Sequence, residues 1–140
     1  VTARRKGAGG ERELATELHA QLGVRLVRRL DQSRAGGHDL EPQEGDDSPV
    51  AMVLSALALE VKRHRTATDG QVRQWWAQAA EQAREAGLVP VLAWRIDRSG
   101  WRVVVPLSWL GIEAGPPADY AYTATLSVDG FASIVREQIG

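Results

Sequence analysis

The chain has 140 residues, 44% hydrophobic and 25% charged, with a formal net charge of −1. That composition is ordinary for a globular protein and suits one compact domain with a true core. Cysteine is absent, which excludes disulfides and thiolate zinc sites and fits a cytoplasmic protein. No apolar run is long enough to span a bilayer, and the basic start, Val1-Thr2-Ala3-Arg4-Arg5-Lys6-Gly7, has no apolar stretch behind it as a secretory signal would.

Residues 1–9, basic and glycine-containing, are expected to form a flexible arm. From Gly10 to Leu22, the apolar positions Leu14, Leu18 and Leu22, with Ala15, recur at helical spacing. Glu11 and Glu13 fall in the first turn, where carboxylates favour the helix dipole, and Gly23 stops the helix. Val24 to Leu30 reads as a strand. Asp31 to Gly37 is a polar, glycine-rich loop, after which His38-Asp39-Leu40 begins a second short strand. Residues 41–49, with Glu41, Glu44, Asp46 and Asp47, form an acidic loop insert. The run Val50-Ala51-Met52-Val53-Leu54 fits either a strand or a turn of helix, and a strand is expected from about Ala56 to Arg63.

Gly70 to Ala86 reads as a long helix ended by Gly87, with Trp75 and Trp76 on different stripes, so that one of them should be exposed or at an interface. Val89 to Ile96 is a strand. After the turn at Asp97-Arg98-Ser99-Gly100, Trp101 to Val105 pairs back on it as a hairpin closed by Pro106. Residues 111–119 are a Gly/Pro-rich loop, Tyr120 to Val128 a last strand, and Phe131, Ile134, Val135 and Ile139 mark a short terminal helix. This order predicts a single α/β domain spanning residues 1–140, with a central mixed β-sheet flanked by helices.

The residues that carry chemistry begin with Glu60-Val61-Lys62. On a strand, Glu60 and Lys62 share one face while Val61 points into the core. A carboxylate that holds a divalent cation, beside a lysine that orients water, suits metal-assisted hydrolysis. An exposed strand face can carry the same pair as solvated charges, so the triplet alone does not decide. Asp39, Glu11 and the basic residues around them add weight. The cations gather as Arg4, Arg5, Lys6 and Arg12, then Arg25, Arg28, Arg29 and Arg34, then Lys62, Arg63 and Arg65; the acidic segment offsets them in the sum. No spacing of His38 or His64 suggests zinc.

The chain resembles archaeal-type Holliday junction resolvases of the PD-(D/E)XK nuclease superfamily. Arg5-Lys6-Gly7-Ala8 followed by Glu11-Arg12-Glu13-Leu14 is similar to their N-terminus. The order then continues with a strand ending in arginine, the loop bearing Ser33, Gly36 and Gly37, and His38-Asp39-Leu40. Glu60-Val61-Lys62, a helix, Gly87-Leu88-Val89-Pro90-Val91-Leu92-Ala93 and the hairpin at Trp101-Arg102 follow. The likeness covers roughly residues 4–106, and the Trp75-Trp76 helix also resembles phage and prophage nucleases of the group. His38 stands where the superfamily has proline, and the interval between Asp39 and Glu60 is lengthened, which leaves Asp46 and Asp47 as rivals to Asp39.

The resemblance implies a restriction-endonuclease-like fold and a metal-dependent endodeoxyribonuclease. Asp39 and Glu60, with the backbone carbonyl of Val61 and Glu11 from the first helix, would hold Mg2+, for which Mn2+ can substitute; Lys62 would orient the attacking water or contact the phosphate. Arg4, Arg5, Lys6, Arg12, Arg29, Arg34, Arg63 and Arg65 are candidates for DNA phosphate contacts, with Gln32 and Ser33 as hydrogen-bonding partners in the loop. Gln74 and Gln78 read as surface residues. The implied activity is symmetric cleavage of four-way DNA junctions by a two-fold homodimer, whose apolar contact is expected from the hairpin Trp101–Val105 and the Trp75-Trp76 helix. The alternatives are a relative that cuts flap, nicked or duplex DNA, and a non-catalytic DNA-binding relative.

Overall fold

The computed structural model describes the backbone of residues 2–29 and 39–139, with side chains from residue 9 onward in the first of these segments. Helix α1 (Thr2–Leu22) leads into strands β1 (Leu26–Arg28) and β2 (Leu40–Pro42), then helix α2 (Pro49–Ser55) and strand β3 (Leu57–His64). Helix α3 (Asp69–Ala86), the strands β4 (Val89–Ile96), β5 (Arg102–Pro106) and β6 (Thr123–Leu126), and helix α4 (Val128–Glu137) follow. Short 3-10 turns occur at Leu107–Leu110 and Tyr120–Tyr122. The sheet runs β1-β2-β3-β4-β5-β6. β3 and β4 are parallel, joined by α3 as the crossover, and the other neighbours are antiparallel.

Alternation along the strands divides the core into two layers. Leu57, Leu59 and Val61 of β3, Val91 and Ala93 of β4, and Val103 and Val105 of β5 face α1, α2 and α4, where they meet Leu14, Leu18, Ala51, Leu54, Phe131 and Val135. On the opposite face Leu92 and Val104 meet Val72, Trp75 and Trp76 of α3. Helices therefore cover both sides of the mixed sheet, as the sequence predicts.

The N-terminal arm is corrected: α1 opens at Thr2, not near Gly10. Ala3, Arg4, Arg5, Lys6 and Ala8 are good helix formers and outweigh the cost of Gly7, Gly9 and Gly10. Gly10 has a packing reason: a Cβ there would stand 3.1 Å from Arg63 Cβ and 3.6 Å from the Trp101 ring, so its absence lets α1 cross close above the sheet. The ambiguous run at 50–54 is helix. Ser48 accepts a hydrogen bond from Ala51 N at 3.3 Å and Pro49 takes the first helical position. The acidic loop is accordingly shorter than residues 41–49, because Glu41 and Pro42 pair with Val27 and Leu26. β1 is confined to Leu26–Arg28, and the last strand to Thr123–Leu126, since Ser127 already caps α4.

A second correction concerns the tryptophans. Trp75 and Trp76 are 8% and 0% exposed. The sheet face is wide enough to receive both stripes of α3: Trp75 lies against His64 and Trp94, while Trp76 Nε1 donates to Pro117 O at 3.1 Å. Trp101, Val103, Val104 and Val105 are buried as well, because β5 is internal, between β4 and β6. The surface expected to supply a dimer contact is thus spent on the chain's own core. α3 itself is fixed at both ends, by reciprocal Thr68–Gln71 hydrogen bonds of 2.8 and 3.1 Å and by Gly87 in the left-handed region at φ 70°.

Candidate active site

β3 carries Leu59 and Val61 into the α1 layer, so Glu60 and Lys62 project to the other face. Glu60 lies in register with Leu92, whose side chain packs under α3, and is only 9% exposed. Asp39 is stitched beside it from three directions. Its N–H donates to Leu59 O at 2.9 Å, its carbonyl accepts from Arg29 N at 2.9 Å, and its Oδ2 accepts from Val61 N at 2.7 Å. These bonds show that the backbone groups of Leu59 and Val61 face the β2 side. A strand residue sends its N–H and C=O to the same side, so the Val61 carbonyl faces Asp39 too.

Glu60 and Asp39 share a side-chain hydrogen bond. Burial, then this hydrogen bond and the charge of Asp39, push the Glu60 carboxyl up to about 9, with Glu11 adding to the rise and Lys62 opposing it. Glu11 reaches the same place from α1 and is 7% exposed. Its carboxyl is raised by burial and by the charge of Asp39, and is restrained by Arg28, whose Nε donates to Oε1 at 2.5 Å. Carboxyls from α1, from the residue preceding β2, and from β3 therefore converge, with Lys62 as the cation acting on Glu60 and Arg28 as the cation bound to Glu11. So many acids in one partly buried place need a proton or a cation between them.

The donors are carboxylate and carbonyl oxygens, the chemistry preferred by a hard divalent ion. Among the described residues no group of three or more His, Asp and Glu already surrounds a single point as ligands. The oxygens that could hold such an ion are those of the contacting pair Asp39 and Glu60 and the Val61 carbonyl, with Glu11 hydrogen-bonded to Asp39.

The remaining candidates divide. Gln32, Ser33, Arg34 and the side chains of Arg4, Arg5 and Lys6 lie outside the described residues. Asp46 is occupied elsewhere: it accepts from Ser48 N at 3.0 Å at the entrance to α2, which holds its carboxyl below the usual range. Arg12 is exposed and lines an open cleft with His19, Arg25 and Gln43. Arg29 is half-buried next to Asp39, and Arg65 is exposed past the end of β3. Arg63 alternates away from Lys62, passes beneath Gly10 of α1, and pairs with Asp97 at 3.9 Å. Gln74 and Gln78 are exposed on α3. Arg28 was not singled out from the sequence beyond its place in a basic run; the strand-ending arginine opposite a helix-borne acid was the available signal.

Over residues 2–125 the chain matches the family described as "Phage putative PDDEXK endonuclease". The chain belongs to this PDDEXK endonuclease family. It is accordingly a nuclease, a phosphodiester hydrolase, of a kind that generally works with divalent metal ions. The mixed sheet flanked by helices agrees with the α/β architecture expected from the sequence. Among solved structures, Hjc of Archaeoglobus fulgidus, a Holliday junction resolvase from an archaeal hyperthermophile, is similar at 20% identity and a TM-score of 0.45, with 94% of this chain and 88% of that one covered. No curated protein matches the chain. No helix among the described residues of this family member is long and apolar enough to cross a membrane.

Proposed function

We propose that this PDDEXK endonuclease cuts DNA with Mg2+, that Asp39, Glu60 and the Val61 carbonyl hold the ion with Glu11 in support, and that its preferred substrate is a four-way junction. The observation that carries the reading is the contact between the buried Glu60 and the partly buried Asp39, with Glu11 and Lys62 beside them. When bound, the ion supplies charge neutralisation at the phosphate and a more acidic water. The protein residues prepare for that chemistry. Glu60 must release its proton to become a ligand, and Lys62, on the same strand face, stabilises the anion that results. The Lys62 ammonium is a mobile donor that can hold a non-bridging phosphate oxygen or the incoming water in line. Asp39 keeps its orientation through Val61 N, and Arg28 fixes Glu11 so that the acid on α1 stays aimed at Asp39.

Junction cutting calls for two sites related by a two-fold axis, so the proposed unit is a homodimer. Arg12, Arg29 and Arg65, together with Arg4, Arg5, Lys6 and Arg34, would hold the backbone without reading bases. The test is a panel of end-labelled four-way, flap, nicked and linear duplex DNA with Mg2+. Paired symmetric incisions on the four-way substrate, with little cutting of linear duplex, support the junction assignment; equal cutting of linear duplex sinks it and leaves a general endonuclease.

A further inference from the structure

The face that carries Glu60 and Lys62 continues across the sheet in a row that the catalytic reading does not use. Lys62 of β3 is in register with Trp94 of β4, and Trp94 with Arg102 of β5. Residues in register on adjacent strands direct side chains to one face, so the three stand side by side. Arg102 lays its guanidinium over the Trp94 ring, 4.8 Å from the centroid. Among the described residues it has no carboxylate partner, in contrast with Arg28, Arg63, Arg84 and Arg95, each of which has one. A second arginine of the same layer repeats the arrangement: Arg73 of α3 lies over Tyr120, 5.2 Å from its centroid, and Tyr120, like Trp94, packs against the buried cluster of Val72, Trp75, Trp76, Leu92 and Val104.

An arginine stacked on an aromatic ring keeps its charge and its fork of N–H donors while losing side-chain freedom. It is thereby pre-organised for a phosphate, since less freedom remains to be lost on binding. Two strand spacings separate Lys62 from Arg102, roughly 10 Å, on the order of one or two phosphate steps along a DNA backbone, whose path winds around the axis and so exceeds its axial rise of ~3.4 Å per nucleotide.

We infer that Lys62, Trp94 and Arg102 form a track that receives the backbone of the cleaved strand, with Arg102 holding a phosphate one or two steps from the scissile one. Arg102 touches substrate there as a positioning residue, and Trp94 sets its orientation. This rests on the nuclease reading of Glu60 and Lys62, but its test needs no cleavage.

The experiment is equilibrium binding of fluorescent four-way and duplex DNA in chelator, as a function of salt, for wild type, Arg102→Gln and Arg102→Lys. Loss of one charge-assisted contact is expected to weaken binding roughly ten-fold in Arg102→Gln. The slope of log affinity against log salt should fall by about 0.7 to 0.9, one phosphate's share. Arg102→Lys should keep the slope and lose part of the affinity, because it retains charge without the stacked fork. Unaltered affinity and slope in Arg102→Gln overturn the track, even if the enzyme cuts normally. If the variant unfolds, the lysine form decides: wild-type affinity in it overturns the stacked-fork role. Failure of the nuclease reading would appear differently, as wild-type protein that binds and never cuts.

Discussion

Replacing Glu60 with Gln should make the metal-free protein more stable at alkaline pH. Glu60 is raised to about 9 in the fold, from an ordinary value of 4.5. Between those values the folded protein keeps a proton that the unfolded chain has released, so stability falls as pH rises through the window. A rise from about pH 5.5 to about pH 8 lies inside it and removes about 3 kcal/mol through this group alone. The glutamine of the variant would resemble the protonated acid in shape, and its amide can still donate to Asp39, so that slope is absent. Urea unfolding in chelator at both pH values should give nearly equal stabilities for the two proteins on the acid side. On the alkaline side the variant should lead by an amount of the same order, about 3 kcal/mol. Mg2+ should restore the wild type at alkaline pH and leave the variant unchanged, because a ligand stabilises only the form it binds. Parallel pH profiles for the two proteins would refute the assignment of a buried, protonated Glu60.

Other perturbations follow from single contacts. Arg28→Met removes the cation beside Glu11; it should cost about 1 kcal/mol near pH 8, given the half-exposed arginine, and less near pH 5 where Glu11 is more protonated. Gly10→Val places a side chain where Arg63 Cβ would be 3.1 Å from the first added carbon, and thermal melting should show a loss of about 1–3 kcal/mol as α1 is lifted from the sheet. Trp76→Phe deletes the donor to Pro117 O, and chemical denaturation should report a loss of about 1 kcal/mol or more from the orphaned carbonyl and the smaller ring.

Much of the fold was legible because local signals agreed with their surroundings. Leu14, Leu18 and Leu22 declared α1, and Gly87 declared the end of α3. Glu60-Val61-Lys62 gave the face of its strand correctly, since alternation is local. The misses were tertiary. The basic, glycine-containing residues 1–9 read as a flexible arm, and Gly10 as no more than the helix start, yet Gly10 marks a close helix–sheet crossing that only the partner residues Arg63 and Trp101 reveal. Trp75 and Trp76 looked divided between core and surface because the reading assumed a narrow apolar stripe, whereas the sheet receives both. Pro49 and Ser48 carried the signal for α2, and the β-branched valines that follow masked it. The carboxyl group at the site was legible only through the ordered resemblance. Nothing local in the sequence places Glu11, Asp39 and Glu60 together, and Arg28 acquires its meaning only when the fold sets it against Glu11.

The most direct measurement is strand cleavage of a four-way junction by wild type, Asp39→Asn and Glu60→Gln, each shown to be folded, with Mg2+ and with chelator. Loss of a ligand that stabilises the transition state by several kcal/mol predicts a fall of at least about 100-fold in both variants, and wild-type cutting should stop in chelator. Cleavage by Glu60→Gln at the wild-type rate, or wild-type cutting undiminished by chelator, would contradict a metal site built on Asp39 and Glu60.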